Sequence, residues 1–164
     1  MSADLPKILP RRNRQPLTRS QMMARIRSEN TRPEILTRAA VHALGFRFRK
    51  HVSSLPGKPD LANKTRRWAI FVHGCFWHSH RGCKLASDPK SNRQYWGEKL
   101  KRNKARDADK IATLRALGFK VLVVWECDVR DGSRLNKALW EFFDANRAWW
   151  HRRIRARTDQ SENR

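Results

Sequence analysis

Apolar positions along this chain change their spacing from segment to segment, and each change marks an element. Thr31-Arg-Pro-Glu34 has the makings of a helix start: a capping threonine, a proline in the first turn and a glutamate at the capping-box position. Ile35, Leu36, Ala39, Ala40 and Leu44 then recur at helical spacing, and Gly45 ends the run. Phe46-Arg-Phe48-Arg49 alternates and predicts a strand. Leu55-Pro-Gly-Lys-Pro59 is a turn, Asp60-Leu61-Ala62 opens a short strand, and Trp68–Val72 is a buried one. Asn92 to Leu117 predicts a long helix with Ile111, Leu114 and Leu117 towards the core and Gly118 as its stop. Phe119–Trp125 is apolar enough for the centre of a sheet, and Arg134–Trp150 is an amphipathic helix. Helix, strands, helix, strand, helix implies an α/β fold around a mixed central sheet flanked by helices.

The flanks differ from this middle. Residues 1–19 carry Pro6, Pro10 and Pro16 among four arginines and predict a flexible basic arm; residues 151–164 predict a basic C-terminal tail. Residues 20–150 are left as a single domain, long enough to bury a core without help from metal.

Charge narrows the partners. Thirty-seven Lys and Arg oppose 15 Asp and Glu, giving a formal net charge of +22. A field of that size favours a polyanion, with nucleic acid first and ribosomal RNA or an anionic membrane surface behind it. No apolar run is long enough to span a bilayer, and the first twenty residues have no signal-peptide core. The expectation is a cytoplasmic, intracellular protein. Three cysteines do not make a disulfide framework, which leaves thiolate or metal roles.

The segment Val72–Cys83, VHGCFWHSHRGC, concentrates the chemistry. Cys75, His78, His80 and Cys83 lie within it, and Cys127 follows the last strand. A structural zinc ion takes four nitrogen or sulfur ligands, so these residues with His73 offer more than one ion needs. A spare imidazole beside a metal is a natural general base. Asp60 stands before a strand that ends at His73, a position from which a carboxylate can hold a hard cation against a phosphate. Each also has a plainer reading: a turn aspartate, a simple zinc knuckle, and Glu34 as no more than a capping residue. Phe76 and Trp77 are either core residues or a wedge that unstacks bases. Lys99, Arg102, Asn103, Lys104 and Arg106 fall on one helix, facing phosphates or solvent.

Taken in order, PGKPDLA, IFVHGCFWHSHRGC, YWGEKLKRNKARDADK and VLVVWEC resemble the very short patch repair (Vsr) endonucleases, from about Met22 to Val129. The resemblance implies a restriction-endonuclease-like fold with a structural zinc site. It implies a Mg²⁺-dependent enzyme that nicks one strand of double-stranded DNA 5′ of the thymine in a T:G mismatch, the product of 5-methylcytosine deamination. By the same resemblance, Asp60 matches the metal-binding catalytic aspartate, and Val72 the position whose backbone carbonyl contacts Mg²⁺. His78 matches the histidine that activates water, Glu34 the acid supporting it, and His73 and Asp107 further active-site positions. Cys75, His80, Cys83 and Cys127 match the zinc ligands. Phe76 and Trp77 match intercalating aromatics, with Met23 entering from the other side, and Lys99 and Asn103 belong to the DNA-binding surface. A single asymmetric lesion implies a monomer. Two alternatives stay open on the residues alone: a restriction-like nuclease with another target, and a non-catalytic zinc-stabilised DNA-binding module.

Overall fold

A computed structural model of the chain describes residues 29–146 apart from 88, 90 and 91. The basic arm, Met23, the C-terminal tail and the last four residues of the final helix expected from sequence lie outside the described residues.

Helix α1 spans Arg32–Ala43 and α2 spans Arg93–Ala116. Both end as their sequences predict. Gly45 and Gly118 sit at φ 80° and 78°, where a Cβ is strained, and let the chain reverse. Phe46 N–H then donates to Val41 O and Phe119 N–H to Leu114 O, at 3.2 and 3.0 Å.

The strands are β1 (Arg49–Lys50), β2 (Leu61–Asn63), β3 (Trp68–His73) and β4 (Lys120–Trp125), in the order β1-β2-β3-β4. The first three pair antiparallel, whereas β3 and β4 run parallel with Trp68 opposite Lys120 and His73 opposite Trp125. Among the described residues β4 is therefore an edge strand rather than a central one. The strand expected at Phe46–Arg49 is shorter and starts later. Phe46 is drawn out of the ladder to stack on Phe143 at 3.7 Å. A short helix α3 (Glu126–Arg130) and helix α4 (Gly132–Ala145) complete the chain. The Asp131 carboxylate caps α4 by accepting from the Arg134 N–H, so this helix begins two residues before the expected Arg134.

The sheet separates two cores. Leu61, Trp68, Ile70 and Val124 pack with Val41, Leu135, Leu139 and Phe143 on one face. Ala62, Ala69 and Phe71 pack with Leu114 and Phe119 on the other. Consecutive residues of β2 and β3 thus enter opposite cores. This explains why β3 is apolar throughout rather than alternating.

On α1 the sequence pattern misleads. Ile35, Leu36 and Leu44 are exposed, while Glu34, Thr37 and Val41 are buried. The buried polar groups are satisfied within the helix and its cap: Thr37 Oγ1 donates to Pro33 O at 2.9 Å, and Glu34 accepts at its N-terminus. Leu117 is likewise exposed, beyond the last turn that packs. No described helix is long and apolar enough to cross a membrane.

Candidate active site and metal-ligand clusters

Beyond the end of β3 the chain folds back on itself. His78 N–H donates to Gly74 O, and His80 N–H to Cys75 O, at 3.2 and 3.0 Å. This compact turn gathers Cys75, His80 and Cys83, and the parallel neighbour β4 delivers Cys127 from the first turn of α3. One ligand atom from each of the four lies within 4.8 Å of the others. His80 Nδ1 is 3.5 Å from Cys75 Sγ and 3.3 Å from Cys127 Sγ. Its ring is stacked on Trp125 at 4.0 Å, which fixes its plane. Zinc bonds of about 2.0–2.3 Å place tetrahedral ligands roughly 3.5–3.8 Å apart, so three sulfurs and one nitrogen at this spacing fit such an ion. Without a cation the thiols oppose ionisation: burial and the neighbouring Cys75 push Cys127 up to about 12, and burial raises Cys75. Cys83 moves the other way, chiefly through the Leu85 backbone N–H. A bound divalent ion would reverse the penalty on the first two.

A second group lines an open cleft of about 790 Å³ beneath α1 and α2. Glu34, Asp60, Val72, His73, Trp77, His78, Lys99 and Asp107 all border it, so eight residues chosen from sequence meet in one place. Asp60 Oδ2 accepts the Val72 N–H at 2.7 Å, an edge contact that pins the carboxylate to β3. Burial pushes Asp60 up to about 6, with the Val72 hydrogen bond opposing and the Glu34 charge adding to it. His78 Nδ1 bonds Asp107 Oδ2 at 2.5 Å. Burial alone would raise Asp107; the hydrogen bond and charge of His78 outweigh it and bring the carboxyl below its ordinary value. His73 is buried and stacked on His78 at 3.9 Å and 8°. Burial first, then the neighbouring His78, lowers it to about 4, so it is neutral at neutral pH.

His73, His78 and Asp107 are close enough to suggest a third ion site. The stacking argues otherwise. An imidazole binds a metal close to its own plane, and two parallel rings 3.9 Å apart cannot both direct lone pairs at one ion. The stacked pair therefore does not suit joint ligation.

Glu34 faces a different histidine from the one expected. Its Oε2 accepts the Asn30 N–H at 3.0 Å and its Oε1 the Thr31 hydroxyl at 2.7 Å, so it caps α1. The same Oε2 lies 3.5 Å from His51 Nε2, while the carboxylate on His78 is Asp107. His51 was not singled out from sequence. It follows a two-residue strand in a left-handed conformation, φ 44°, which no pattern of apolar positions announces.

Phe76 and Trp77 are half-buried and in edge contact with one another at 5.2 Å. Both pack on Trp96, at 5.5 and 5.8 Å. Trp96 and Tyr95 open α2, and Lys99 Nζ lies 5.3–5.8 Å from the rings of Trp96, Tyr95 and Trp77. The YW pair was the available sign of this cluster. Asn103 Nδ2 donates to Trp77 O at 3.2 Å and its Oδ1 accepts from Arg106 at 2.5 Å. In this structure Asn103 ties the aromatic turn to α2. Phe76 and Asn103 are not among the cleft-lining residues.

The family profile described as DNA mismatch endonuclease Vsr matches residues 13–85. A type II nicking enzyme, V.XorIIP of Xanthomonas oryzae pv. oryzae, is 46% identical over 129 residues, covering 79% of this chain and 94% of that protein. The type II nicking enzyme V.NmeAIP of Neisseria meningitidis serogroup A is 40% identical, with 77% and 93% covered. The DNA mismatch endonuclease Vsr of Escherichia coli K12 is 40% identical over 118 residues, covering 72% of this chain and 75% of its own length. With its cysteine–histidine cluster and most of its cleft residues on the segments that carried the sequence resemblance, the chain belongs to the Vsr family of DNA mismatch endonucleases.

Proposed function

We propose that this protein nicks one strand of double-stranded DNA 5′ of the thymine in a T:G mismatch, acting as a monomer with a restriction-endonuclease-like domain. The observation that carries the reading is the cleft: Asp60, His78 and Asp107 line it together, with Trp77 on the same wall.

Asp60 Oδ1 and the Val72 carbonyl are the hard oxygen donors that suit Mg²⁺, and the buried Asp60 carboxylate gains a counter-charge from it. When bound, Mg²⁺ supplies positive charge to the phosphate oxygens as the bond breaks. The remaining work falls to the protein. Asp107 occupies His78 Nδ1, so Nε2 is the atom that accepts a proton from the attacking water. Neutral His73 supports the face of that ring without competing for the proton. Cys75, His80, Cys83 and Cys127 would hold Zn²⁺, which would tie down the turn bearing Phe76 and Trp77. Their insertion costs least at a mispaired step, which couples selection to cleavage. Met23 is proposed to enter from the opposite side, and Lys99 and Asn103 to contact DNA. The large positive charge supplies affinity without sequence choice.

The test is strand-specific nicking of a T:G duplex against its T:A control and an abasic duplex, with Mg²⁺, for wild type and Asp60→Ala. Selective T:G nicking abolished by Asp60→Ala supports the reading. Equal cutting of all three duplexes would replace it with a different nuclease. Tight binding without nicking in several flanking contexts would favour a zinc-stabilised DNA-binding module.

A further inference from the structure

His51 lies between the two carboxylates that back the cleft. Its Nδ1 is 3.8 Å from Asp60 Oδ1 and its Nε2 is 3.5 Å from Glu34 Oε2. Neither separation makes a hydrogen bond, which needs about 2.7–3.2 Å. Nε2 is buried without a hydrogen-bond partner. Yet one ligand atom from each of Glu34, His51 and Asp60 lies within 4.8 Å of the others. Two ligands at about 2.1 Å from one ion lie roughly 3.0 Å apart when adjacent and about 4.2 Å when opposite. The gap between Nδ1 and Asp60 Oδ1 falls between those values.

The backbone has been bent to create this placement. His51 holds φ 44°, a left-handed conformation that strains a residue carrying a Cβ. It is clamped there by its own N–H donating to Asp60 O at 3.2 Å and by Val52 N–H donating to Pro59 O at 3.3 Å. A strained residue hydrogen-bonded to the very aspartate its side chain faces points to function rather than accident.

We infer that His51 is a nitrogen ligand of the Asp60 ion, with Glu34 holding the far nitrogen of its ring. A metal-bound histidine regularly gives its second N–H to a carboxylate, which sets the ring's orientation and tautomer. Here Nδ1 faces the ion and Asp60, and Nε2–H faces Glu34. Glu34 is then a positioning residue acting through His51. Mg²⁺ gains little from a nitrogen donor, whereas first-row transition ions gain more. The site therefore takes Mn²⁺ more tightly than Mg²⁺, by about tenfold, the worth of one modest ligand. The inference rests on Asp60 being a metal ligand, as proposed above.

The experiment is Mn²⁺ binding to the full zinc-loaded chain without DNA, read by electron paramagnetic resonance, with Mg²⁺ as competitor. Nitrogen hyperfine coupling in the Mn²⁺ complex is the second readout. Wild type should show imidazole nitrogen coupling and the Mn²⁺ preference. His51→Gln should lose the coupling and most of the preference while keeping Mg²⁺ affinity within about twofold, and Glu34→Gln should weaken Mn²⁺ binding but retain the coupling. Unfolding curves of each variant establish that it is folded. No nitrogen coupling in wild type, or a preference unchanged in His51→Gln, overturns the inference. Asp60→Asn separates the two claims. If it leaves both ions bound as in wild type, the Asp60 metal site itself is wrong. If it abolishes binding while His51→Gln changes nothing, only the role of His51 falls.

Discussion

The cysteine–histidine cluster and the cleft draw residues from one segment, Val72–Cys83, but they are built on opposite terms. In the cluster, His80 Nδ1 has two sulfurs as its neighbours, and burial makes the Cys75 and Cys127 thiols reluctant to ionise. A bound divalent ion would satisfy such a group. In the cleft, Asp60 is already bonded to Val72 N–H and His78 to Asp107. These side chains hold one another through protein hydrogen bonds alone. On the proposed reading one metal would serve folding and the other chemistry, and each can be removed to see whether that division holds.

The largest effect should follow zinc removal. Structural zinc sites in small domains contribute on the order of 10 kcal/mol. Chelation, or Cys127→Ser, is expected to lower the melting temperature by well over 10 °C and to release the metal. An unchanged melt would erase the contrast. Next comes Asp60→Asn, which should reduce nicking about a thousandfold, as loss of several kcal/mol of charge stabilisation requires. Its effect on stability should have the opposite sign. The folded carboxyl holds its proton to about 6 rather than 3.8, so stability is lost as pH rises through that window. In divalent-free buffer at pH 7.5 the variant should be more stable than wild type by up to about 3 kcal/mol, and near pH 3.5 the difference should vanish. A His73 held near 4 rather than 6.5 works the other way, adding stability as pH rises. The variant's melting temperature should therefore climb between pH 4 and 6.5 where that of wild type stays flatter.

Smaller effects sharpen the picture. Asp107→Asn removes the acceptor that orients His78 and should reduce the nicking rate about a hundredfold with KM little changed. Trp77→Ala should weaken binding of a T:G duplex by about ten- to hundredfold, the worth of one stacked base, with a much smaller change in melting temperature than zinc loss. Leu36→Glu, on the exposed face of α1, should alter stability by no more than about 0.5 kcal/mol.

That last case shows where the sequence could be read and where it could not. Gly45, Gly118 and the apolar run of β3 were legible because turns and buried strands need particular residue types. The buried face of α1 was not. Thr37 and Glu34 satisfy their polar groups on Pro33, Asn30 and Thr31, so they can be buried where a reader of hydrophobicity expects leucine. Most cleft residues were found through the motif resemblance, since Asp107 alone looks like any surface acid on a basic helix. His51 was missed because its position depends on a left-handed backbone angle, and Tyr95 and Trp96 because their role depends on what α2 packs against.

The parallel pairing of β3 with β4 sets an order of events during synthesis. The antiparallel strands β1 to β3 meet through short connections, whereas β4 reaches β3 only after the 24-residue helix α2 has crossed. Cys127 arrives just after that late strand, in the first turn of α3 and 47 residues after His80. Closing so long a stretch is the slower, entropically opposed step. A growing chain can offer zinc three donors soon after the Val72–Cys83 turn emerges, but the fourth comes only when the crossover is complete. Full coordination of a zinc ion at the proposed site would thus report that the sheet has closed.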